Sequence, residues 1–144
     1  MAVAKGGCSA DERKAMQQRA EELRSMKGVK GAAKKEKEAQ ACLEAIDSLE
    51  GLDRQIAERF HVIVTEEAPQ LDPKTWYGFP SYARDGKVVT FVQPASKFDT
   101  RYTTVAFQED ALIDGAIWAT AFAVVEWTDA VEQQLRELVR RVEG

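Results

Sequence analysis

The fold of this chain is decided by residues 74–93, which read KTWYGFPSYARDGKVVTFVQ. Residues 75–84 and 87–93 are rich in aromatic and β-branched side chains that alternate with polar ones, a pattern typical of β-strands. Asp85 and Gly86 lie between the two segments, and an Asp-Gly pair favours the two-residue type I′ turn of a β-hairpin. The sequence therefore predicts an antiparallel hairpin in the middle of the chain, formed by two long strands.

Two more extended segments follow this hairpin. Residues 101–107 alternate polar and apolar side chains and predict a third strand. Residues 116–127 are more continuously apolar, which indicates a central strand that is buried on both faces. We therefore expect an antiparallel sheet of about four to five strands.

Helical periodicity predicts four helices around the strands. Ser9 and Glu12 form a capping-box pattern that predicts the start of the first helix, and further helices are predicted over residues 33–48 and 53–68. Thr128 is the predicted N-cap of a last helix with a strong apolar stripe. The order of these elements predicts an α+β fold with helices on one face of the sheet.

The composition of the chain changes near residue 52. All three Trp, all three Tyr and all six Phe lie beyond this point, and aromatic side chains provide much of the area that a core buries. We therefore expect residues 1–50 to form a helical N-terminal extension, in which residues 1–8 are disordered. Residues 51–144 are then the α+β domain.

Charge and hydropathy exclude several classes of protein. The net charge of −4 and the pI near 5.2 argue against a nucleic-acid partner, because such binding depends on Lys and Arg releasing phosphate counterions. No segment approaches the length of a membrane span, and the N-terminus lacks the apolar core of a signal peptide. We expect a cytoplasmic protein with no membrane partner. Cys8 and Cys42 have no metal-binding or redox spacing, and we interpret both as reduced thiols.

Residues 74–82 and the following residues 85–89 resemble the hallmark of the YdhG-like family. That hallmark is a helix that ends in Pro, a Gly-hydrophobic-Pro-x-Tyr strand, a turn, and a Gly-Lys-apolar strand; the similarity covers roughly residues 50–143. Members of the family are often labelled intracellular iron chaperones, so the resemblance implies an α+β domain and names iron as a cofactor to consider. From the residues alone, His61 is interpreted as a helix-edge residue and no set of metal ligands is assigned.

Motifs for catalysis are absent from the sequence. There is no phosphate-binding G-x-x-x-x-G-K-[ST], no G-x-G-x-x-G and no H-E-x-x-H, and the residues around Ser81 do not form a nucleophile elbow. We therefore expect a protein that is not an enzyme.

Aromatic and basic residues are interleaved from residue 74 to residue 102, and this region is the predicted binding site. Such residues bind small anionic or planar ligands through cation–π and charge-assisted contacts. The candidate ligand-binding residues are Trp76, Tyr77, Gly78, Pro80, Tyr82, Lys87, Lys97 and Tyr102. Gly78 and Pro80 are interpreted as marking a bulge or a strand edge.

Two other interpretations of the same residues remain open. The rings could stack on the bases of a single nucleic-acid strand. Alternatively, the aromatic residues form the core on one side of the sheet while the basic residues face water on the other.

The sequence thus predicts a non-catalytic cytoplasmic domain that binds a small ligand, or iron if the family resemblance is followed. An alternative function of another class is a protein–protein interaction or oligomerisation module that acts through the N-terminal helices. This alternative rests on the thin apolar stripe of the first helix, which must dock on something to be stable. Its partner could be a second copy, which makes a homodimer.

Overall fold

The computed structural model describes residues 9–28 and 30–143. In chain order the elements are α1 (Ala10–Ser25), α2 (Gly31–Asp47), α3 (Gly51–Glu67), β1 (Asp72–Trp76), β2 (Phe79–Arg84), β3 (Lys87–Gln93), α4 (Ala95–Phe98), β4 (Thr103–Phe107), β5 (Ala121–Val124) and α5 (Asp129–Glu143). A 3₁₀ turn at Glu109–Ala111 follows β4. The predicted α+β class, the antiparallel sheet and the N-terminal helical region are confirmed. The prediction that residues 1–8 are disordered lies outside the described residues, as does Cys8.

The five strands form one antiparallel sheet in the order β1-β2-β3-β4-β5. The β2–β3 hairpin closes through Asp85 and Gly86, whose φ angles are 51° and 82°. Positive φ at both central residues is the signature of the type I′ turn. The turn predicted from the Asp-Gly pair is therefore confirmed.

The predicted strand over residues 75–84 is two strands rather than one. Trp76 pairs with Phe79 across a second tight turn, in which Tyr77 has φ 53° and Gly78 has φ 84°. The interpretation of Gly78 as marking a bulge or a strand edge was wrong, because glycine here supplies a left-handed turn position. Pro80 pairs with Thr75 of β1 but lies outside the β2–β3 register, so its missing N–H removes no bond to β3.

The apolar run at residues 116–127 is not a central strand. Only residues 121–124 form a strand, β5, which lies at the edge of the sheet and pairs with β4 alone. Ile117 in the same run is 90% exposed. The prediction was wrong because continuous apolar character does not distinguish a strand buried on both faces from an apolar surface segment.

The main core lies between one face of the sheet and the helices α2, α3 and α5. Its fully buried members include Ile56 and Phe60 of α3, Tyr82 of β2 and Val139 of α5. Helix α5 begins as predicted, because the Thr128 hydroxyl accepts a 3.1 Å hydrogen bond from the Val131 amide.

Helices lie on both faces of the sheet rather than on one. Adjacent residues of a strand point to opposite faces, so Phe79 and Ser81 point away from the core face to which Tyr82 belongs. Helix α1 lies over this second face, where Ala15 and Met16 approach Phe79. The second apolar face is what positions the candidate site.

Candidate functional site

Five aromatic side chains gather beneath α1 and form what we call the aromatic cluster. Its members are Trp76, Tyr77, Phe79, Phe91 and Phe98. Phe79 lies at the centre, with ring centroids 5.2 Å from Phe91, 5.9 Å from Phe98 and 6.0 Å from Trp76. These separations and the tilted or edge-on ring angles are those of favourable aromatic pairs.

Strand pairing explains why these rings meet. Trp76 and Phe79 are directly opposite each other at the end of the β1–β2 hairpin. Phe91 lies on the neighbouring strand β3, opposite Ser81 of β2. Opposed residues of antiparallel strands share a face, so the three rings project from the same side. Phe98 is brought in by the short helix α4, which follows β3 directly.

A cleft of about 400 Å³, here called the aromatic cleft, lies between the aromatic cluster and α1. Glu12, Ala15 and Met16 of α1 form one wall, and the five rings with Gln93 form the other. Apolar side chains therefore dominate the lining. The volume falls within the range of about 300–1,000 Å³ that is typical of small-molecule sites.

Helix α1 is held over the cleft by a small number of polar contacts at the β1–β2 turn. The Gly78 amide donates a 2.7 Å hydrogen bond to Oε2 of Glu22, and Arg19 donates to the other carboxylate oxygen at 3.3 Å. The Gln18 side chain packs against Gly78 so closely that a Cβ there would overlap it. Ala15 is the one buried residue of α1, and the end of the helix is also tied to α2, where the Lys37 ammonium donates to the Ser25 carbonyl at 2.8 Å.

The start of α1 is fixed by the predicted capping box. The Glu12 amide donates to Oγ of Ser9 at 3.0 Å, and the Ser9 amide donates to Oε1 of Glu12 at 2.9 Å. Glu12 therefore lines the cleft while one of its carboxylate oxygens is already hydrogen-bonded within the helix end.

Lys97 is half-buried and lies next in sequence to Phe98. Burial lowers the pKa of the Lys97 ammonium, the positive charge of Lys14 on α1 lowers it further, and the charge of Glu22 opposes both. Helix α4, which carries Lys97, contacts α1, so the positive charge of Lys14 acts on the Lys97 ammonium beside Phe98.

The structure brings together only part of the predicted binding residues. Trp76 and Tyr77 line the aromatic cleft, and Gly78 forms the turn that anchors α1. Lys97 lies beside α1. The other four predicted residues do not line the cleft: Pro80, Tyr82, Lys87 and Tyr102.

Tyr82 is fully buried on the core side of the sheet. Its hydroxyl is 2.9 Å from Nδ1 of His61 and 4.0 Å from Sγ of Cys42. Burial raises the pKa of the Cys42 thiol to about 11, so the thiol is protonated near neutral pH and is a poor nucleophile. Burial also raises the pKa of Tyr82 and lowers that of His61. These three side chains form a core hydrogen-bond chain and not part of the cleft.

Lys87 and Tyr102 lie on the surface outside the cleft. Lys87 is exposed at the β2–β3 turn, and Tyr102 is an exposed residue of the loop before β4, where the Arg101 guanidinium lies 5.8 Å from its ring. The interpretation in which all the aromatic residues form one core and the basic residues face water was wrong. Phe79 and Tyr82 are three positions apart in β2, and residues an odd number of positions apart in a strand point to opposite faces of the sheet. The aromatic rings therefore lie on both faces.

Several cleft residues were missed by sequence reasoning. Phe79, Phe91 and Phe98 belong to the interleaved aromatic segment, so the signal that selected Trp76 could also have selected them. Glu12, Ala15 and Met16 carried no such signal, because only the docking of α1 brings them to the sheet.

The described residues offer no metal centre. Within residues 9–28 and 30–143, no group of three or more His, Cys, Asp or Glu side chains stands close enough to hold a metal ion. The acidic side chains near α5 are instead paired with arginines: Glu67 with Arg136 and Arg140, and Glu132 with Arg59 and Arg136. In the same part of the chain, no helix has the length and apolar character needed to cross a membrane.

Comparison with known proteins identifies no relative of this chain. No protein-family model, no curated protein and no solved structure matches it. Function must therefore be argued from the geometry of the aromatic cleft.

Proposed function

We propose that this protein is a non-catalytic, cytoplasmic binding domain that holds a small planar ligand with an anionic group in the aromatic cleft. The observation that carries the proposal is the apolar cleft of about 400 Å³, walled by five aromatic rings on one side and by α1 on the other. The proposal keeps the predicted small-ligand function and places it under α1. Kinship with the YdhG-like family remains part of the proposal.

The shape of the cleft favours a planar apolar ligand body. Phe79 is buried and forms the floor, while Trp76, Tyr77, Phe91 and Phe98 are only partly buried and leave ring surface open to a ligand. Each aromatic pairing contributes about 0.5–1.5 kcal/mol beyond the burial of area. A flat ring system that contacts several of these faces would therefore bind with useful affinity.

The charges beside the cleft favour an anionic group on that ligand. The positive charge of Lys14 lowers the pKa of the Lys97 ammonium. A bound anion would relieve this repulsion and gain charge-assisted hydrogen bonds.

The lining of the cleft supports binding rather than catalysis. Of its described lining residues, Glu12 and Tyr77 are the ionisable ones, and Glu12 is engaged in the capping box. A nucleophile next to a general base, which covalent catalysis requires, is not found among these lining residues. We do not extend the proposal to iron, since the described residues bring no three metal ligands together.

The test is a fluorescence titration with 8-anilinonaphthalene-1-sulfonate, a planar anionic probe, on the folded full chain. We expect saturable binding of one probe per chain. Trp76→Ala and Phe98→Ala should each weaken it about tenfold, since each removes one ring face. Trp118→Ala is the matched control, because Trp118 is 45% exposed and lies outside the cleft.

The neutral probe N-phenyl-1-naphthylamine separates the two parts of the proposal. Lys97→Gln should weaken the anionic probe and leave the neutral one unchanged. Non-saturable binding, or equal losses in Trp76→Ala and Trp118→Ala, would show that the cleft is not the site. Circular dichroism on each variant confirms that the fold is intact, because this dye also binds partly unfolded chains.

A further inference from the structure

We infer that β5 is an interface at which two copies of this chain pair edge to edge, joining their sheets into one. Strand β5 is the last strand of the sheet and has β4 on one side only. An uncovered edge presents backbone N–H and C=O groups that can pair with another strand. This surface lies away from the aromatic cleft and is independent of the function proposed for it.

The pairing pattern shows which backbone groups are open. The Phe107 amide donates to the Thr120 carbonyl at 2.7 Å, which makes these two a hydrogen-bonded pair. Bonded pairs alternate along an antiparallel ladder, so Ala121 and Ala123 direct their N–H and C=O groups away from β4. Both side chains are small and exposed, so a second strand can approach closely.

Beyond being short, β5 carries no charged residue, proline or bulge that would guard it against strand pairing. Edge strands are commonly guarded by a charged residue, a proline or a bulge. Residues 115–125 contain no charged residue and no proline, although 31% of the chain is charged. The segment also exposes large apolar side chains: Ile117 is 90%, Val125 63% and Trp118 45% exposed. An apolar surface that continues from an open strand edge is typical of an interaction site.

A second copy is the occupant that fits this segment best. In a two-fold antiparallel pairing centred on Ala123, Val125 of each copy lies opposite Ala121 of the other, and opposed residues share a face. The flanking carboxylates, Asp114 and Glu126, are not opposed in this register. No like charges therefore face each other, and the exposed side chain of Val125 packs against the strand of the other copy.

The other edge of the sheet favours a closed dimer over an open filament. Helix α2 lies along β1 and is tied to it by ion pairs of Lys35 with Asp72, 3.5 Å, and of Glu38 with Lys74, 3.6 Å. Since β1 is covered in this way, each chain has one free edge in its described residues. Pairing through β5 alone closes with two copies.

Sedimentation equilibrium of the full chain tests the inference. The wild type should have twice the 16.1 kDa mass of one chain at concentrations up to about 100 µM. Ala123→Lys places a charge from each copy at the centre of the interface and should weaken the dimer about tenfold or more. Val125→Lys is a second variant for the same surface. Ala32→Lys, on the exposed side of α2, is the matched control and should leave the dimer unchanged.

Three results would overturn the inference. One is a wild type that stays monomeric throughout this range. The second is a dimer that survives both Ala123→Lys and Val125→Lys with their folds intact by circular dichroism. The third is a dimer that dissociates only on Leu23→Lys, because Leu23 lies exposed on α1 and its loss would assign the interface to the N-terminal helices.

Discussion

The amide of Gly78 donates a 2.7 Å hydrogen bond to the carboxylate of Glu22, and this bond joins the β1–β2 turn to α1. The turn and the helix are 56 residues apart in sequence. Because a hydrogen bond to a charged acceptor contributes more than one between neutral groups, Glu22 is a principal anchor of the helix. The aromatic cleft exists only while α1 is held in this position.

Replacement of Gly78 by alanine tests how tightly α1 is docked. Gly78 and Gly86 have nearly the same φ, 84° and 82°, but a Cβ on Gly78 would overlap the Gln18 side chain, whereas Gly86 has open space. We expect Gly86→Ala to lower the free energy of unfolding by about 1–2 kcal/mol, through positive φ alone. Gly78→Ala should cost about 0.5–1 kcal/mol more, because the end of a glutamine side chain can swing aside but loses its packing.

Urea denaturation measures these losses in the free energy of unfolding. The variants to compare are Gly78→Ala, Gly86→Ala and the double variant that combines Gly78→Ala with Gln18→Ala. In the double variant, the extra cost of the Gly78 change should disappear. If the excess remains without Gln18, some contact other than this overlap limits the turn.

The pH dependence of stability near neutrality should come from His61, the one histidine of the chain. Burial lowers the pKa of His61 below the value of 6.5 that it takes in an unfolded chain. Between these two pKa values the unfolded state binds the extra proton. The free energy of unfolding should therefore fall as the pH is lowered through 6.5, until the folded pKa is reached.

His61→Asn is the matched variant for this effect. The asparagine amide can either accept from or donate to the Tyr82 hydroxyl in place of Nδ1 of His61, so we expect a loss of only about 1 kcal/mol at pH 8. Thermal or urea unfolding from roughly pH 8 to pH 5 measures the free energy of unfolding at each pH. In the variant, this free energy should lack the pH dependence that His61 causes in the wild type. A slope equal to that of the wild type would assign the effect to other groups.

Glu132 should dominate the loss of stability in acid. Its carboxylate accepts hydrogen bonds from Arg59 at 2.8 and 3.1 Å, from Arg136 at 2.9 and 3.1 Å, and from Trp127 at 3.3 Å. The bonds from Arg59, aided by those from Arg136, lower the pKa of Glu132 to about 2. Its stabilisation is complete above the ordinary value of 4.5 and should be lost as the pH falls from there towards 2.

Glu132→Gln should lower the free energy of unfolding by about 1–2 kcal/mol at pH 7, since the arginines keep an acceptor but lose the charge. The difference from the wild type should shrink as the pH approaches 2. Glu137→Gln, on the exposed side of α5, is the control and should change stability by less than about 0.5 kcal/mol. A difference that is constant with pH would mean that ionisation of Glu132 is not its source.

Only a small part of the candidate site could be predicted from the sequence. Of the residues that line the cleft, Trp76 and Tyr77 were among the predicted binding residues. Gly78 and Lys97 lie beside the cleft, and the binding role of all four stays a prediction. Tyr82 was predicted in the binding site but lies on the core face of the sheet. The face to which a strand residue points depends on where the strand begins, and the tight turn at Tyr77 was not recognised. A tyrosine with positive φ is uncommon, so local propensity does not indicate it.

Elements whose causes are local could be predicted from the amino-acid sequence alone. The capping box at Ser9, the Asp85-Gly86 turn, the Thr128 cap and the apolar stripe of α5 each depend on residues within a turn or two of one another. These were enough to establish the α+β class. The position of α1 over the second face of the sheet and the open edge at β5 became evident only in the folded chain. Both features depend on contacts between segments that are distant in sequence. The free energy of such contacts depends on which surfaces meet, and the periodicity of a single segment does not contain this information.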